Sequence, residues 1–184
     1  MRITMDPAVV AQNFAAFKNN SSLQESAQLF AKGLPIAEMI QAFAMNRSVL
    51  SAFAAFEAIY PHGGLERGIL EKVILCISTR NQCQFCVASH QDIARSLGIT
   101  VVNADKPESP DHSPREKLAI EYAVAVHRNS NQIPVELFQR LRATFTDAEI
   151  VELTFLTGFI NLLNWFNNAL EVQYRMEFQG LHVK

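Results

Sequence analysis

Two cysteines and a histidine fall within eight residues of this chain, as Cys83-x-x-Cys86-x-x-x-His90. At about 100° per residue, a helix would carry the three side chains within an arc of roughly 60°. Thiols held in that way can cycle between dithiol and disulfide, or, together with the imidazole, can hold a metal ion. Cys83 is predicted near the start of its helix, where the positive end of the helix dipole favours a thiolate. Cys86 lies one turn further in, where it can attack or resolve a sulfur bonded to Cys83. His90 follows Cys86 by four residues, and an imidazole there can exchange protons near neutral pH.

Glu71 belongs with this group. It interrupts an otherwise apolar helix, on the same face as Ile74, Leu75 and Ser78. Partial desolvation there is expected to raise its pKa and suit it to proton shuttling. The plainer reading is a solvated carboxylate beside Lys72. The metal alternative takes Cys83, Cys86 and His90 as three zinc ligands, with His62, His112 or His127 as the fourth. Structural zinc sites usually pair two short-spaced couples, however, and the chain has no second couple. The third cysteine, Cys76, reads as an inert buried thiol. Three cysteines do not make a disulfide framework, and in a reducing compartment a C-x-x-C pair is more often catalytic or metal-binding than structural.

The elements that must position these residues read as helices throughout. Asp6-Pro7 opens the first, with Val9, Val10, Phe14 and Phe17 at helical spacing. Ser21 or Ser22 is expected to cap a short second helix ending near Gly33. Pro35 is placed at the start of a third, running towards Asn46. A fourth, AAFEAIY, stops at the breaker Pro61-His62-Gly63-Gly64. The helix from Glu66 to about Thr79 is nearly continuous in apolar residues and so is predicted to be buried on most sides. A polar break at 79–82 precedes the helix of the cysteines, which Gly98 ends. Residues 100–112 form a polar, exposed loop with two prolines. Ser113-Pro114-Arg115-Glu116 starts the next helix, Pro134 another, and Thr146-x-x-Glu149 is the capping box of a long last helix through about Val172. Asn161, Asn164 and Asn168 form a stripe on it, expected to be a polar edge of a half-buried helix. His62, His112 and His127 are expected on the surface or in loops. A faint repeat aligns Arg67, Leu70, Arg80 and Asn81 with Arg115, Leu118, Arg128 and Asn129, consistent with duplication of a two-helix unit. At the positions of Cys83, Cys86 and His90 the second copy has Asn131, Pro134 and Phe138.

Composition narrows the class. The 184 residues suit one domain with a substantial core, and 49% hydrophobic content argues against disorder. A net charge of −2 with no basic block gives no footprint for nucleic acid. The N-terminus lacks a leader pattern, and ELTFLTGFINLLNWFNNAL carries too many Asn for a membrane span, so a cytoplasmic protein is expected.

The pattern Glu-x11-Cys-x-x-Cys-x-x-x-His, from Glu71 to His90, resembles the alkylhydroperoxidase AhpD-like branch of the carboxymuconolactone decarboxylase family. A looser likeness, including Arg67 and the PREKLAIEYA helix, extends over about residues 35–175. The resemblance implies an all-α fold, here a single domain over 1–184 with a helical extension at 1–34, assembled as a homo-oligomer, trimer or hexamer. It implies hydroperoxide reduction by Cys83 and Cys86 in antioxidant defence, with Glu71 and His90 as a proton relay. An external dithiol, a lipoyl adaptor or a thioredoxin-like protein, would restore the pair, and no haem, flavin or metal cofactor is required. Family mechanisms favour Cys86 as the thiol that peroxide attacks, whereas the dipole argument favours Cys83 as the more acidic. Cys86 is taken as peroxidatic because His90 is one turn away. The chain departs from the best-studied AhpD proteins at Phe85, where they carry a second His between the cysteines. One relay member is therefore missing or replaced, which leaves a disulfide reductase or thiol-exchange protein with little peroxidase activity as the alternative to the peroxidase, beside a zinc-binding helical oligomer. Phe85 could also suit the pocket mouth to a bulkier hydroperoxide, or be simply core. The family's lactone decarboxylases lack the C-x-x-C pair.

Overall fold

The computed structural model describes residues 1–34, 36–60 and 62–175, with Glu25 by its backbone alone. Among these there are nine helices and no strand, as the sequence predicts. Pro35 and Pro61, expected as a helix start and a helix breaker, lie outside the described residues.

The first four helices form the N-terminal third. α1 (Pro7–Ala15) starts as expected: Pro7 needs no N–H partner at the first position, and the Asp6 carboxylate accepts the Ala8 N–H at 2.8 Å. α2 (Gln24–Ala31) differs from expectation. Neither Ser21 nor Ser22 caps it; Asn20 turns the chain instead, its side-chain oxygen accepting the N–H groups of Ser22 and Leu23. α3 (Glu38–Ala44) is short. Asn46, the expected end of that helix, caps α4 (Arg47–Glu57) by accepting from Ser48 and Val49 at 3.0 and 3.3 Å.

The centre is α5 (Arg67–Arg80), in which every residue from Ile69 to Ser78 is buried. A helix apolar all round must be covered all round. α6 (Gln84–Ser96), α7 (Pro114–Asn129) and α9 (Asp147–Leu170) pack against it, and α8 (Val135–Thr144) lies outside against α7 and α9. The remaining flank is covered by the loop after Gly98, which itself adopts the left-handed φ of +68° that ends α6. This loop is therefore not simply exposed. Ala104, Ser109 and His112 are buried in it, the Asp105 carbonyl lies 3.8 Å from the buried Cys76 thiol, and His112 Nε2 is 3.1 Å from the Asn103 carbonyl.

Paired charges cross between these helices. Lys72 on α5 donates to Glu116 on α7 at 2.7 Å, both largely buried. Glu116 also closes the capping box with Ser113, as Glu149 does with Thr146. Arg115 lies over the Phe145 ring at 4.0 Å, pairs with Glu66 and Glu149, and donates to the Thr144 carbonyl at 2.6 Å. The last helix ends at Leu170, two residues before expected. Glu171 adopts φ 54°, and the Val172 N–H returns to the Asn167 carbonyl at 2.9 Å.

Candidate active site

The turn between α5 and α6 places the cysteines. Asn81 leaves the helix, Gln82 takes a left-handed φ of 56°, and the Cys83 N–H closes the turn on the Ser78 carbonyl at 2.9 Å. Cys83 is the N-cap of α6, its Sγ accepting the Cys86 N–H at 3.3 Å. The two sulfurs are joined as a disulfide, with Cα atoms 5.4 Å apart, and both residues are buried.

The asparagine stripe on α9 holds this turn. Asn81 donates to Asn161 Oδ1 at 2.8 Å and to Asn164 Oδ1 at 2.9 Å; Asn164 donates in turn to Ser78 Oγ, and the exposed Asn168 to the Asn81 carbonyl. The expected polar edge is thus corrected: Asn161 and Asn164 are buried, because a turn with unpaired backbone and amide groups needs polar partners where it meets the core.

Glu71 is fully buried one turn into α5, and three groups converge on it. Tyr60 donates to Oε1 at 2.6 Å, and His90 Nδ1 lies 2.8 Å from Oε2. A carboxylate only accepts, so Nδ1 donates, and whenever the ring is neutral Nε2 is its acceptor. Arg67 Nε is 2.8 Å from Oε1 as an ion pair, though its N–H points off the hydrogen-bond line, and its guanidinium lies 4.4 Å over the Tyr60 ring. Burial acts to raise the Glu71 pKa. The charge and hydrogen bond of His90, then Arg67 and Tyr60, outweigh it and hold the carboxyl below its ordinary value. The expectation of a raised pKa is corrected: desolvation is present as predicted, but its cationic and donor partners exceed it. The same neighbourhood pushes the Tyr60 hydroxyl well up, chiefly by burial and by the Glu71 charge, so Tyr60 keeps its proton.

A cavity of about 630 Å³ opens beside this group. Its walls are mainly apolar, with Phe53, Phe56, Ile74 and Leu163 among them, and its polar lining includes Tyr60, Arg67, Ser89 and His90. Cys86 lines it and Cys83 does not. Phe85 lines it too, buried and edge-on to Tyr174 at 5.9 Å between ring centroids, so it is core and cavity wall at once. Glu57, at the end of α4, contributes a carboxyl to the cavity wall, which Glu71 behind His90 and Tyr60 does not. By surface area it is only half-buried, yet its apolar surroundings push its pKa up to about 7, against smaller downward pulls from His90 and Arg67.

Glu71 and His90 are therefore in direct contact, and the cysteine pair shares the cavity with His90 through Cys86. Cys76 is buried and free, its pKa raised chiefly by burial. The zinc set does not assemble. Among the described residues no group of three or more His, Cys, Asp or Glu is placed to hold a metal ion. Of the proposed fourth ligands, His112 is buried against Asn103, contrary to the expectation of a surface residue, because its loop covers α5. His127 is half-buried against Asn161 Oδ1, and His62 is exposed at the cavity rim. Three residues escaped the sequence reading. Tyr60 precedes the Pro61 break and reads as a helix end. Glu57 is the lone charge of AAFEAIY, the same signal that marked Glu71. Asn167 adjoins the stripe at Asn168; it is buried, and its Nδ2 lies 3.2 Å from Cys86 Sγ and 3.2 Å from Met39 Sδ.

No family model matches the chain. The uncharacterised protein YnjA of Escherichia coli (strain K12) is 35% identical over 94 residues, 49% of this chain; the match spans about half (52%) of the length of that relative. Among solved structures, the chain is similar to a protein of unknown function from Agrobacterium tumefaciens, provisionally described as an antioxidant defence protein AhpD: 28% identity, TM-score 0.65, covering 72% of this chain and 94% of the other. An alkylhydroperoxidase AhpD core, an uncharacterised peroxidase-related protein from Ralstonia eutropha JMP134, superimposes with TM-score 0.75 at 22% identity over 100% and 96% of the two chains. The debrominase Bmp8 superimposes with TM-score 0.68 at 15% identity over 97% and 91%. At these last two identities the likeness speaks to fold alone, and the debrominase shows that one fold carries more than one chemistry. The all-α fold of this chain is that of the AhpD-like proteins.

Proposed function

We propose that this chain, AhpD-like in fold and in motif, is a thiol-dependent peroxidase in which Cys86 attacks the hydroperoxide and Cys83 resolves it. The observation that carries the reading is the pairing of a buried Cys83–Cys86 disulfide with a cavity onto which only Cys86 of the two opens, beside a buried Glu71–His90 pair. The Cys86 thiolate attacks the terminal oxygen of ROOH; an S–O bond forms, the O–O bond breaks, and RO⁻ takes a proton to leave as ROH. The Cys83 thiolate then attacks the Cys86 sulfenic acid; the S–S bond forms and the hydroxyl leaves as water with a second proton. An external dithiol, a lipoyl group or a thioredoxin-like protein, reduces the disulfide by exchange and is itself oxidised.

His90 Nε2 takes the thiol proton, and Glu71, ionised and held by Arg67 and Tyr60, fixes the ring tautomer and stabilises the imidazolium. Glu57, a cavity-lining carboxyl whose pKa is pushed up to about 7, would return a proton towards the leaving alkoxide. The apolar walls suit an organic hydroperoxide better than hydrogen peroxide. A role in antioxidant defence and assembly as a homo-oligomer are part of the same proposal.

Cys86→Ser is expected to abolish peroxide turnover, and Cys83→Ser to leave a Cys86 sulfenic acid that dimedone traps. Retained peroxidase activity in Cys86→Ser sinks the assignment. Phe85 favours a second reading, a thiol–disulfide exchange protein with little peroxidase activity. Stopped-flow oxidation by hydrogen peroxide and by cumene hydroperoxide separates the two, since an exchange protein responds slowly to both.

A further inference from the structure

We propose that Asn167 is a further catalytic residue of this site: its side-chain amide donates to Cys86 Sγ and stabilises the attacking thiolate. The inference rests on the peroxidase reading for its purpose, though not for its geometry. Asn167 is 2% exposed on α9, and Nδ2 lies 3.2 Å from Cys86 Sγ and 3.2 Å from Met39 Sδ. Neither a thioether nor a disulfide sulfur can donate, so the NH₂ end faces them. Its Oδ1, also buried, has no hydrogen-bond partner.

A buried amide with an unmet acceptor destabilises a fold, and an isosteric Leu would sit at this position with less cost. The donor is what the position supplies. A disulfide sulfur accepts weakly. After reduction the same sulfur carries a full negative charge, and the same N–H becomes a charge-assisted donor. The N–H is not consumed: as the S–O bond forms and O–O breaks, the negative charge leaves with RO⁻, and the N–H stays beside the sulfur of a neutral sulfenic acid.

The two sulfurs are thereby served by different donors. Cys83 Sγ takes the Cys86 N–H at the helix start, and Cys86 Sγ takes Asn167. This removes the conflict between the helix dipole, which favours a thiolate at Cys83, and the cavity, which admits peroxide to Cys86.

The test is the pH dependence of iodoacetamide alkylation of Cys86, followed by mass spectrometry in a Cys83→Ser background, with and without Asn167→Leu. Glu57 from α4, Arg67 and Glu71 from α5, and His90 from α6 are the same in both proteins, so the difference reads Asn167. The expected result is a midpoint raised by about one pH unit and alkylation at pH 7 slowed about tenfold, with an unchanged circular dichroism spectrum. Asn167→Ala is expected to shift it in the same direction and serves if the Leu variant does not fold. An unchanged midpoint in a folded variant overturns the inference, whether or not the parent protein reduces peroxide. A shifted midpoint in a protein whose parent is inactive towards peroxide supports Asn167 as the donor and overturns the peroxidase reading instead.

Discussion

Glu71 and Glu57 show how far two carboxyls a helix apart can diverge. Glu71 is wholly buried, yet its partners hold its pKa below the ordinary 4.5; Glu57 has no such partner in contact, and burial pushes it to about 7. The consequences for stability have opposite signs. Glu71 binds its proton less readily when folded, so it stabilises the fold above about pH 4.5 and that contribution is lost as pH falls. Glu57 binds its proton more readily when folded, so its contribution is present below about pH 4.5 and lost as pH rises through 7. The unfolding free energy of the wild type is therefore expected to fall between pH 5 and 8 relative to Glu57→Gln, by an amount on the order of 2 kcal/mol, which urea unfolding in a pH series would show. A parallel decline in both proteins would mean that Glu57 is not the group responsible. Glu71→Gln replaces the anion facing Arg67 and His90 by a neutral amide. Its kcat/KM for hydroperoxide is expected to drop about 100-fold with the helical spectrum retained. Both carboxyls stand alone in apolar runs, so the sequence could flag them; which one gains cationic partners is a matter of packing.

At the scale of elements, local chemistry was readily legible. The capping boxes at Ser113 and Thr146, the Pro7 start and the Gly98 stop all appear where residue preferences place them, because each is satisfied within one turn of chain. Ser113→Ala is expected to cost about 1 kcal/mol in urea unfolding. The turn at Asn20 before α2 and the fate of loop 100–112 were less legible, since both depend on what lies beneath the segment. Gln82 is the element-scale feature that matters most for the site: a non-glycine residue in left-handed conformation directly before Cys83. Gln82→Gly is expected to raise unfolding stability by about 0.5–1 kcal/mol without changing the rate of peroxide reduction, since the turn is kept and the side-chain clash removed. A fall in stability would show that the Gln82 side chain contributes more than its backbone costs.

For the molecule as a whole, the cavity and one outer face carry the expectations. The cavity is walled by apolar side chains from α3, α4, α5, α6 and α9. Each buried methylene of a substrate is worth about 0.8 kcal/mol, so cumene hydroperoxide is expected to exceed hydrogen peroxide in kcat/KM by at least about tenfold. Equal values for the two would mean that the cavity does not hold the organic group. On the outside of α9, Val151, Phe155, Leu162 and Trp165 are exposed along one side of the helix. If the homo-oligomer proposed above forms through this face, the double variant Phe155→Glu/Leu162→Glu sediments as a single chain while the wild type does not. Among the described residues, no helix is long and apolar enough to cross a membrane, in keeping with the asparagines of α9 facing a polar turn.

The sequence by itself determined the all-α class, the position and order of most helices, and the grouping of Cys83, Cys86 and His90, all of which follow from periodicity and from spacing within a turn or two; Glu71 joined them through the resemblance of the longer motif. Only the tertiary structure decided that Cys86 rather than Cys83 opens onto the cavity, that Glu71 is held ionised by Tyr60, Arg67 and His90, and that Asn167 reaches the Cys86 sulfur. Apart from Arg67 and Glu71, one turn apart on α5, those contacts join residues 11 to 81 positions apart, and distances of that kind are set by how helices pack around α5, not by the preferences of any one segment.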